Sequence, residues 1–406
     1  MTESINEQVS PEQVCTEQAS EPAKMTFDQL PLSSSITQAL AEMGFEYCSP
    51  IQQMSLPHSL AGHDVLGKGQ TGTGKTAAFL IAVFEELLKS TDDERYAGEA
   101  RALIIAPTRE LVMQIAEDAK LIGKHTDLIV HTLVGGMDYE KQKKKLHGSL
   151  VDILVATPGR LIDFCERKEV YLDQLQILVI DEADRMLDMG FIPQVKRIVR
   201  MAPRPEYRQT MLFSATFSDD VLRLAEQWTI DPSRIEVESD SVATDNVEQI
   251  IYMVSSDEKL NLLGNLLDQT GVTSLMVFAN RRDQCRKVHE QLRRKGFKVG
   301  LLSGEIAQNK RIQTLNQFKE GKLQAIVATD VAGRGIHVDD VTHVVNYNLP
   351  EEPEDYVHRI GRTGRAGNKG ISISFACEDD AFRLPAIEEL LDTKITCIVP
   401  PDELLA

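Results

Sequence analysis

Long apolar runs are missing from this sequence. The longest, such as "AAFLIAVF" at Ala77–Phe84, fall well short of the roughly 20 residues that a membrane-spanning helix needs, so no membrane association is expected. Paired cysteines are missing too. Cys15, Cys48, Cys165, Cys285, Cys377 and Cys397 are widely spaced, with no CxxC pair, which argues against a disulfide frame or a zinc site and for a reducing compartment. The opening "MTESINEQVSPEQ" has neither a basic segment nor an apolar core, so no secretion signal is read and a cytoplasmic location is expected. Aromatic residues make up only 5% of the chain, too few for an extended platform on which bases would stack. A basic excess is also lacking: the formal net charge is -18.

That acidity is unevenly placed. Residues 1–24 carry five Glu against one Lys, and residues 376–406 carry eight acids against Arg383 and Lys394. Between them, Met276–Lys322 holds twelve Lys or Arg and four acids, so one local basic stretch survives in an acidic protein.

At 406 residues the chain exceeds the size at which a single hydrophobic core stops growing, and two domains are expected. Short apolar runs alternate with longer helical patterns. "DVLGKG", "ALIIAP", "DILVAT", "LQILVID" and "TMLFSAT" read as buried parallel strands of a first domain. "SLMVFAN", "LQAIVATD", "THVVNY" and "ISISFA" read as those of a second. Strands alternating with helices imply a parallel sheet covered on both faces, here twice over: an α/β fold of two tandem domains with a cleft between them. The expected divisions are a disordered acidic segment over 1–24, a first domain over 25–238, a linker over 239–247 inside the polar stretch Asp231–Ile250, and a second domain over 248–406.

Gly69–Thr76 reads "GQTGTGKT", the phosphate-loop pattern, placed between a strand and a helical run. In such a loop Gln70, Thr71, Gly72, Thr73 and Gly74 offer backbone N–H groups to phosphates. Lys75 brings a point charge, and the Thr76 hydroxyl binds Mg²⁺. In "ILVIDEAD" four apolar residues end in Asp181, a carboxylate at a strand's C-terminal end that can hold Mg²⁺ through water, with Glu182 beside it to orient or deprotonate the attacking water. These residues predict a nucleoside triphosphate as substrate and Mg²⁺ as cofactor. Further on, "HRIGRTGR" sets Arg359, Arg362 and Arg365 three residues apart, a crowding of fixed charge that asks for an anion.

With "DEAD" at Asp181–Asp184, the chain resembles the DEAD-box RNA helicases from about Phe27 to Ala376, through many motifs in the family's order. The resemblance implies two RecA-like domains. "GFEYCSPIQ" is similar to the family's Q motif and implies that Gln52 reads adenine while Phe27 stacks on it. Cys48 and Ser49 stand where the family usually has Pro and Thr. Ser214 and Thr216 of "SAT" are implied to couple hydrolysis to RNA binding, and Asp330 to approach the ribose. His358 opens the arginine motif, from which Arg362 and Arg365 are implied to reach the γ-phosphate from the second domain. RNA is implied to lie across both domains. It would touch Pro107, Thr108 and Arg109 of "PTREL", Gly135 and Gly136, and Thr157, Pro158, Gly159 and Arg160 of "TPGR" on the first. On the second it would touch Arg281, Gly304 and Thr329, through backbone contacts with little sequence preference. "FAN" (Phe278–Asn280) and "QNKR" (Gln308–Arg311) are further matches. Within the family, His337 after "GRGI", "VNYNLP" and "SISFACEDDAFRLPAIE" (Ser372–Glu388) resemble bacterial degradosome members, which implies an endoribonuclease partner docked on the second domain.

Other functions fit less well. A GTPase would carry N-K-x-D, but "NKGI" has Ile371 in place of Asp. A DNA helicase shares the architecture, and Gln52 with "DEAD" and "SAT" favours RNA by resemblance. An RNA clamp that binds ATP without useful turnover need not keep Lys75, Asp181, Glu182, Arg362 and Arg365 together.

Overall fold

The structure is a computed structural model that describes residues 25–70, 72–89, 95–237, 247–269, 272–333, 341–364 and 369–405. The acidic segment over 1–24 and most of the expected linker lie outside the described residues.

Two seven-stranded sheets follow one another, and every pairing within them is parallel. The first contains β1 (Val65–Lys68), β2 (Ala100–Ile105), β3 (Val130–Leu133), β4 (Val151–Ala156), β5 (Ile177–Ile180), β6 (Gln209–Ser214) and β7 (Ser233–Glu236), in the order β3-β4-β2-β5-β6-β1-β7. The second contains β8 (Val247–Met253), β9 (Leu275–Phe278), β10 (Val299–Leu302), β11 (Ala325–Ala328), β12 (His343–Asn346), β13 (Gly370–Ala376) and β14 (Cys397–Ile398). Its order is β10-β11-β9-β12-β13-β8-β14.

The apolar runs follow from this double covering. Along β5, Ile177 and Val179 face one core with helices Lys75–Lys89 and Arg109–Ile122, while Leu178 and Ile180 face the other with helices Pro158–Glu166 and Ile192–Met201. A strand buried on both faces has no polar alternation to show. The second sheet repeats the arrangement, with Leu275 and Val277 in one core and Met276 and Phe278 in the other.

The stretch Asp231–Ile250 was expected to hold the linker, but it also holds β7 and the start of β8. Val247, expected as the last linker residue, opens β8 opposite Gly370. β7 lies at the sheet's edge beside β1 and buries only Ile235, so its composition is that of a loop.

Candidate active site and nucleic-acid interface

The strand orders sort the motifs into two groups. In the first sheet, β5, β6 and β1 are neighbours, and their C-terminal ends carry "DEAD", "SAT" and the phosphate loop. β3, β4 and β2 are also neighbours, and their ends carry Gly135–Gly136, "TPGR" and "PTREL". In the second sheet, the neighbours β10, β11 and β9 end at Gly304, Thr329 and Arg281. All the residues expected at RNA therefore leave the C-terminal ends of three adjacent strands at one side of each sheet, where open α/β sheets bind ligands.

Lys75 opens helix Lys75–Lys89 and is buried. Its ammonium donates to the carbonyl of Gly69 and, at 3.0 Å, to that of Gln70. Burial pushes its pKa down, and the carboxylates of Asp181, Glu182 and Asp184 oppose that shift. Asp181 follows β5 and is 3% exposed. Burial and the neighbouring Glu182 charge push its carboxyl up to about 7, against the pull of Lys75. A cavity of about 210 Å³ joins Gly72, Lys75, Thr76, Asp181 and Glu182. Its donor set, a buried carboxylate short of positive charge and a threonine hydroxyl, fits Mg²⁺. Glu182 takes a left-handed backbone (φ 52°) and accepts from Arg185 Nη1 at 3.1 Å. Thr71 lies outside the described residues.

Asp184 joins two of the motifs. Its Oδ2 accepts from the backbone N–H groups of Ala215 and Thr216, both at 3.0 Å, and from the Thr216 hydroxyl at 3.2 Å, while its own N–H donates to Ser214 Oγ. Sequence reasoning gave Asp184 no role. Its place inside "DEAD" was the available signal.

At the base end of the loop, Gln52 already has protein partners. Its Oε1 accepts from Ser49 N at 2.9 Å, and its Nε2 donates to the Gly74 carbonyl at 3.0 Å. The same contact explains Gly74, with φ +95°, where an added Cβ would lie 2.5 Å from that amide nitrogen. Phe27 is 3% exposed and stacks on Phe45, with centroids 6.3 Å apart. Phe45, not singled out from sequence, lines both the cavity beside Lys75 and the hollow that holds Phe27.

The three arginines separate. Arg359, in helix Pro353–Ile360, is 1% exposed and grips Asp330 of its own domain at 2.5 and 2.6 Å. It also donates to Asn280 Oδ1 at 2.8 Å and the Asn348 carbonyl at 2.7 Å. Its anion is thus a carboxylate of its own domain, so of the three crowded arginines this one does not await a phosphate. Arg362 faces the other domain. With His358 it lines a cavity of about 220 Å³ that also includes Gln70, Ala215 and Thr216. Arg365 lies outside the described residues.

On the RNA side, Thr108 and Thr157 are the N-caps of helices Arg109–Ile122 and Pro158–Glu166, which present N–H groups at the ends of adjacent strands. Arg160 donates to the Met137 carbonyl. The Arg109 guanidinium lies against Gly136, whose φ is +73° and where an added Cβ would collide with its Nη1. Burial depresses the pKa of Arg109, and Arg311 and Arg160 add repulsion. Arg109 also crosses the cleft, donating to Gln308 Oε1 at 3.2 Å. Beside it, Glu110 Oε1 accepts from Gln308 Nε2 at 3.0 Å and Arg311 Nε at 2.8 Å. Glu110, Gln308 and Arg311 had no assigned role from sequence, yet they tie the two domains together.

Comparison with known proteins agrees with this arrangement. The DEAD/DEAH box helicase family matches residues 49–224, and the helicase conserved C-terminal domain matches residues 258–367. The chain belongs to the DEAD/DEAH box helicase family. It is 57% identical over 94% of its length to the ATP-dependent RNA helicase RhlB of Pseudomonas syringae, of which 96% is covered. The ATP-dependent RNA helicase RhlB of Pasteurella multocida is 48% identical over 92% of this chain and 88% of its own. Among solved structures, S. cerevisiae Dbp5 bound to RNA and ADP BeF3 matches with TM-score 0.80 and 31% identity, over 92% of this chain and 95% of its own.

Proposed function

We propose that this protein is an RNA-dependent ATPase and ATP-dependent RNA helicase of the RhlB type. The observation that carries the reading is the cleft itself. Gln70 and Thr216 of the first domain and Arg362 of the second line one cavity, so a hydrolytic site is complete only when both domains meet.

The chemistry follows from the residues on either wall. Lys75 and the loop N–H groups bind the β and γ phosphates of ATP. Asp181, through water, and Thr76 would hold Mg²⁺, which neutralises phosphate charge when bound. Glu182, steadied by Arg185, orients the attacking water. Arg362 and Arg365 stabilise the charge that develops on the transferred phosphoryl group, worth ~10³–10⁵ in rate for an arginine supplied across a cleft. Phe27, with Phe45, and Gln52 serve adenine, and Asp330 the ribose. Asp184 links "DEAD" to "SAT", so movement at Thr216 is felt at Asp181.

RNA promotes closure by lying across the strand ends of both sheets. Pro107–Arg109, Gly135–Gly136 and Thr157–Arg160 hold its backbone on one side, and Arg281, Gly304 and Thr329 on the other. A strand bent in this way separates a short duplex locally. The clamp reading is weaker, because a pure binder has no need of Glu182 or Arg362.

An endoribonuclease scaffold docked on the second domain belongs to the same reading. It is supported by exposed apolar side chains there, Phe382 and Val399 each at 72%. A cytoplasmic location fits as well. Among the described residues, no helix is long and apolar enough to cross a membrane.

The deciding experiment is steady-state ATP hydrolysis without nucleic acid, with single-stranded RNA, and with DNA of the same sequence. Stimulation by RNA alone is expected. Equal stimulation by DNA, or turnover that ignores both, would overturn the reading.

A further inference from the structure

We propose that the second domain carries an auxiliary RNA-backbone site along its β10 edge, separate from the strand-end loops already described. β10 comes first in its sheet and pairs on one side only, with β11. Beside it lies a hollow of about 510 Å³ lined by His289, Arg293, Lys298, Lys310 and Lys322, and by the apolar Phe297 and Leu323. No carboxylate is among the described residues that line it. Of the acids nearby, Glu305 pairs with Arg286, Glu320 pairs with Lys322 of the hollow itself at 2.5 Å, and Glu290 acts on His289. Among the described residues, Arg293, Lys298 and Lys310 form no ion pair.

Three cations outside any ion pair, in a chain of net charge -18, are a place where a polyanion gains most. Burial holds the His289 imidazole below its ordinary pKa; the charges of Arg293 and Lys310 add to that, while a backbone hydrogen bond with Val299 and the charge of Glu290 oppose it. An acidic peptide could use the same cations, but the position favours RNA. β10 runs directly into Ser303 and Gly304, where the strand-end loops assigned to RNA begin. Lys310 lies toward the Gly304 end of β10 and Lys298 and Lys322 at its N-terminal end, so a strand leaving Gly304 would run along β10 to reach them. The four residues of β10 span about 13 Å, the length of ~4 stacked nucleotides. The half-buried Phe297 and the His289 imidazole are the aromatic rings among the described lining residues. The contacts would be to phosphates, and sequence-tolerant.

This site rests on the RNA-binding reading above, and the test separates the two. Affinity for single-stranded RNA of about eight and about 25 nucleotides is measured by fluorescence anisotropy with a non-hydrolysable ATP analogue, at several salt concentrations. In the R293Q/K298Q/K310Q variant, binding of the long RNA should weaken about tenfold or more, and its log–log salt slope should shrink by ~2, at ~0.7 for each phosphate no longer neutralised. The short RNA should bind as to the wild type. In E320Q, which frees Lys322, the long RNA should bind more tightly. Equal losses at both lengths, or none at either, would overturn the auxiliary site while leaving RNA-dependent hydrolysis standing. So would an unchanged RNA affinity joined to lost binding of a peptide copied from residues 1–24. Failure of the wild type to bind RNA of either length would remove the parent reading itself.

Discussion

Arg359 and Asp330 form a two-pronged ion pair inside the second domain, at 2.5 and 2.6 Å, with the arginine 1% exposed. It positions a residue assigned to the ribose instead of meeting a phosphate. Removing the arginine leaves a largely buried carboxylate without its charge partner, which costs about 3–5 kcal/mol. R359Q should unfold at correspondingly lower urea. R359K, which keeps charge but loses the fork, should fold more nearly as the wild type and show a raised KM for ATP. A variant R359Q with wild-type stability and KM would contradict this role.

Arg362 gives the opposite signature. R362A should bind an ATP analogue nearly as the wild type while RNA-stimulated kcat falls by ~10³ or more. Analogue titration beside single-turnover hydrolysis separates the two effects. A large loss of binding would assign Arg362 to the ground state.

The Glu110–Arg311 pair bridges the domains with both side chains 9% exposed. In a double-mutant cycle of E110Q and R311Q, read as RNA affinity in the presence of an ATP analogue, the two should couple by more than about 0.5 kcal/mol. Without nucleotide, each single variant should bind RNA as the wild type does. Additive effects would mean that the contact does not govern closure.

Gly136 holds a backbone with φ +73° directly under the Arg109 guanidinium. G136A costs about 1–2 kcal/mol in backbone strain alone and must also displace Arg109. Weaker RNA stimulation with intact ATP binding is expected. An alanine variant with full stimulation would free Arg109 from this placement.

Cys285 is fully buried, and burial pushes its thiol up to about 12. At pH 8 only ~10⁻⁴ of it is the reactive thiolate, against about a quarter of an unperturbed thiol. Iodoacetamide should therefore spare Cys285 in the native protein and label it in urea, as mass spectrometry would show. Fast native labelling would mean that helix Arg282–Arg294 opens readily.

Much of this was legible in the sequence because the buried strands have little freedom of composition. "ILVID" and "LMVFAN" face two cores, and no other pattern fits a strand covered on both sides. The edge strands were harder to read: β7 and β14 bury little and look like loops. The phosphate loop and Asp181 could be recognised because their chemistry is local. The Glu110 contacts could not, since Gln308 and Arg311 lie about two hundred residues away and only the meeting of two domains brings them close. Nor could the fate of Arg359, because three evenly spaced arginines give no hint which one turns inward.

The Asp181 N–H donates to the Ile105 carbonyl at 3.0 Å, two residues before the loop assigned to RNA. The strands that present metal carboxylate and RNA clamp are thus side by side, about 4.8 Å apart, and a tug on Pro107 is a tug on the peptide that aims Asp181. Such a machine has no separate latches for its two cargoes. Losing the RNA should slacken the grip on the spent nucleotide, so the departure of one is expected to hasten the departure of the other.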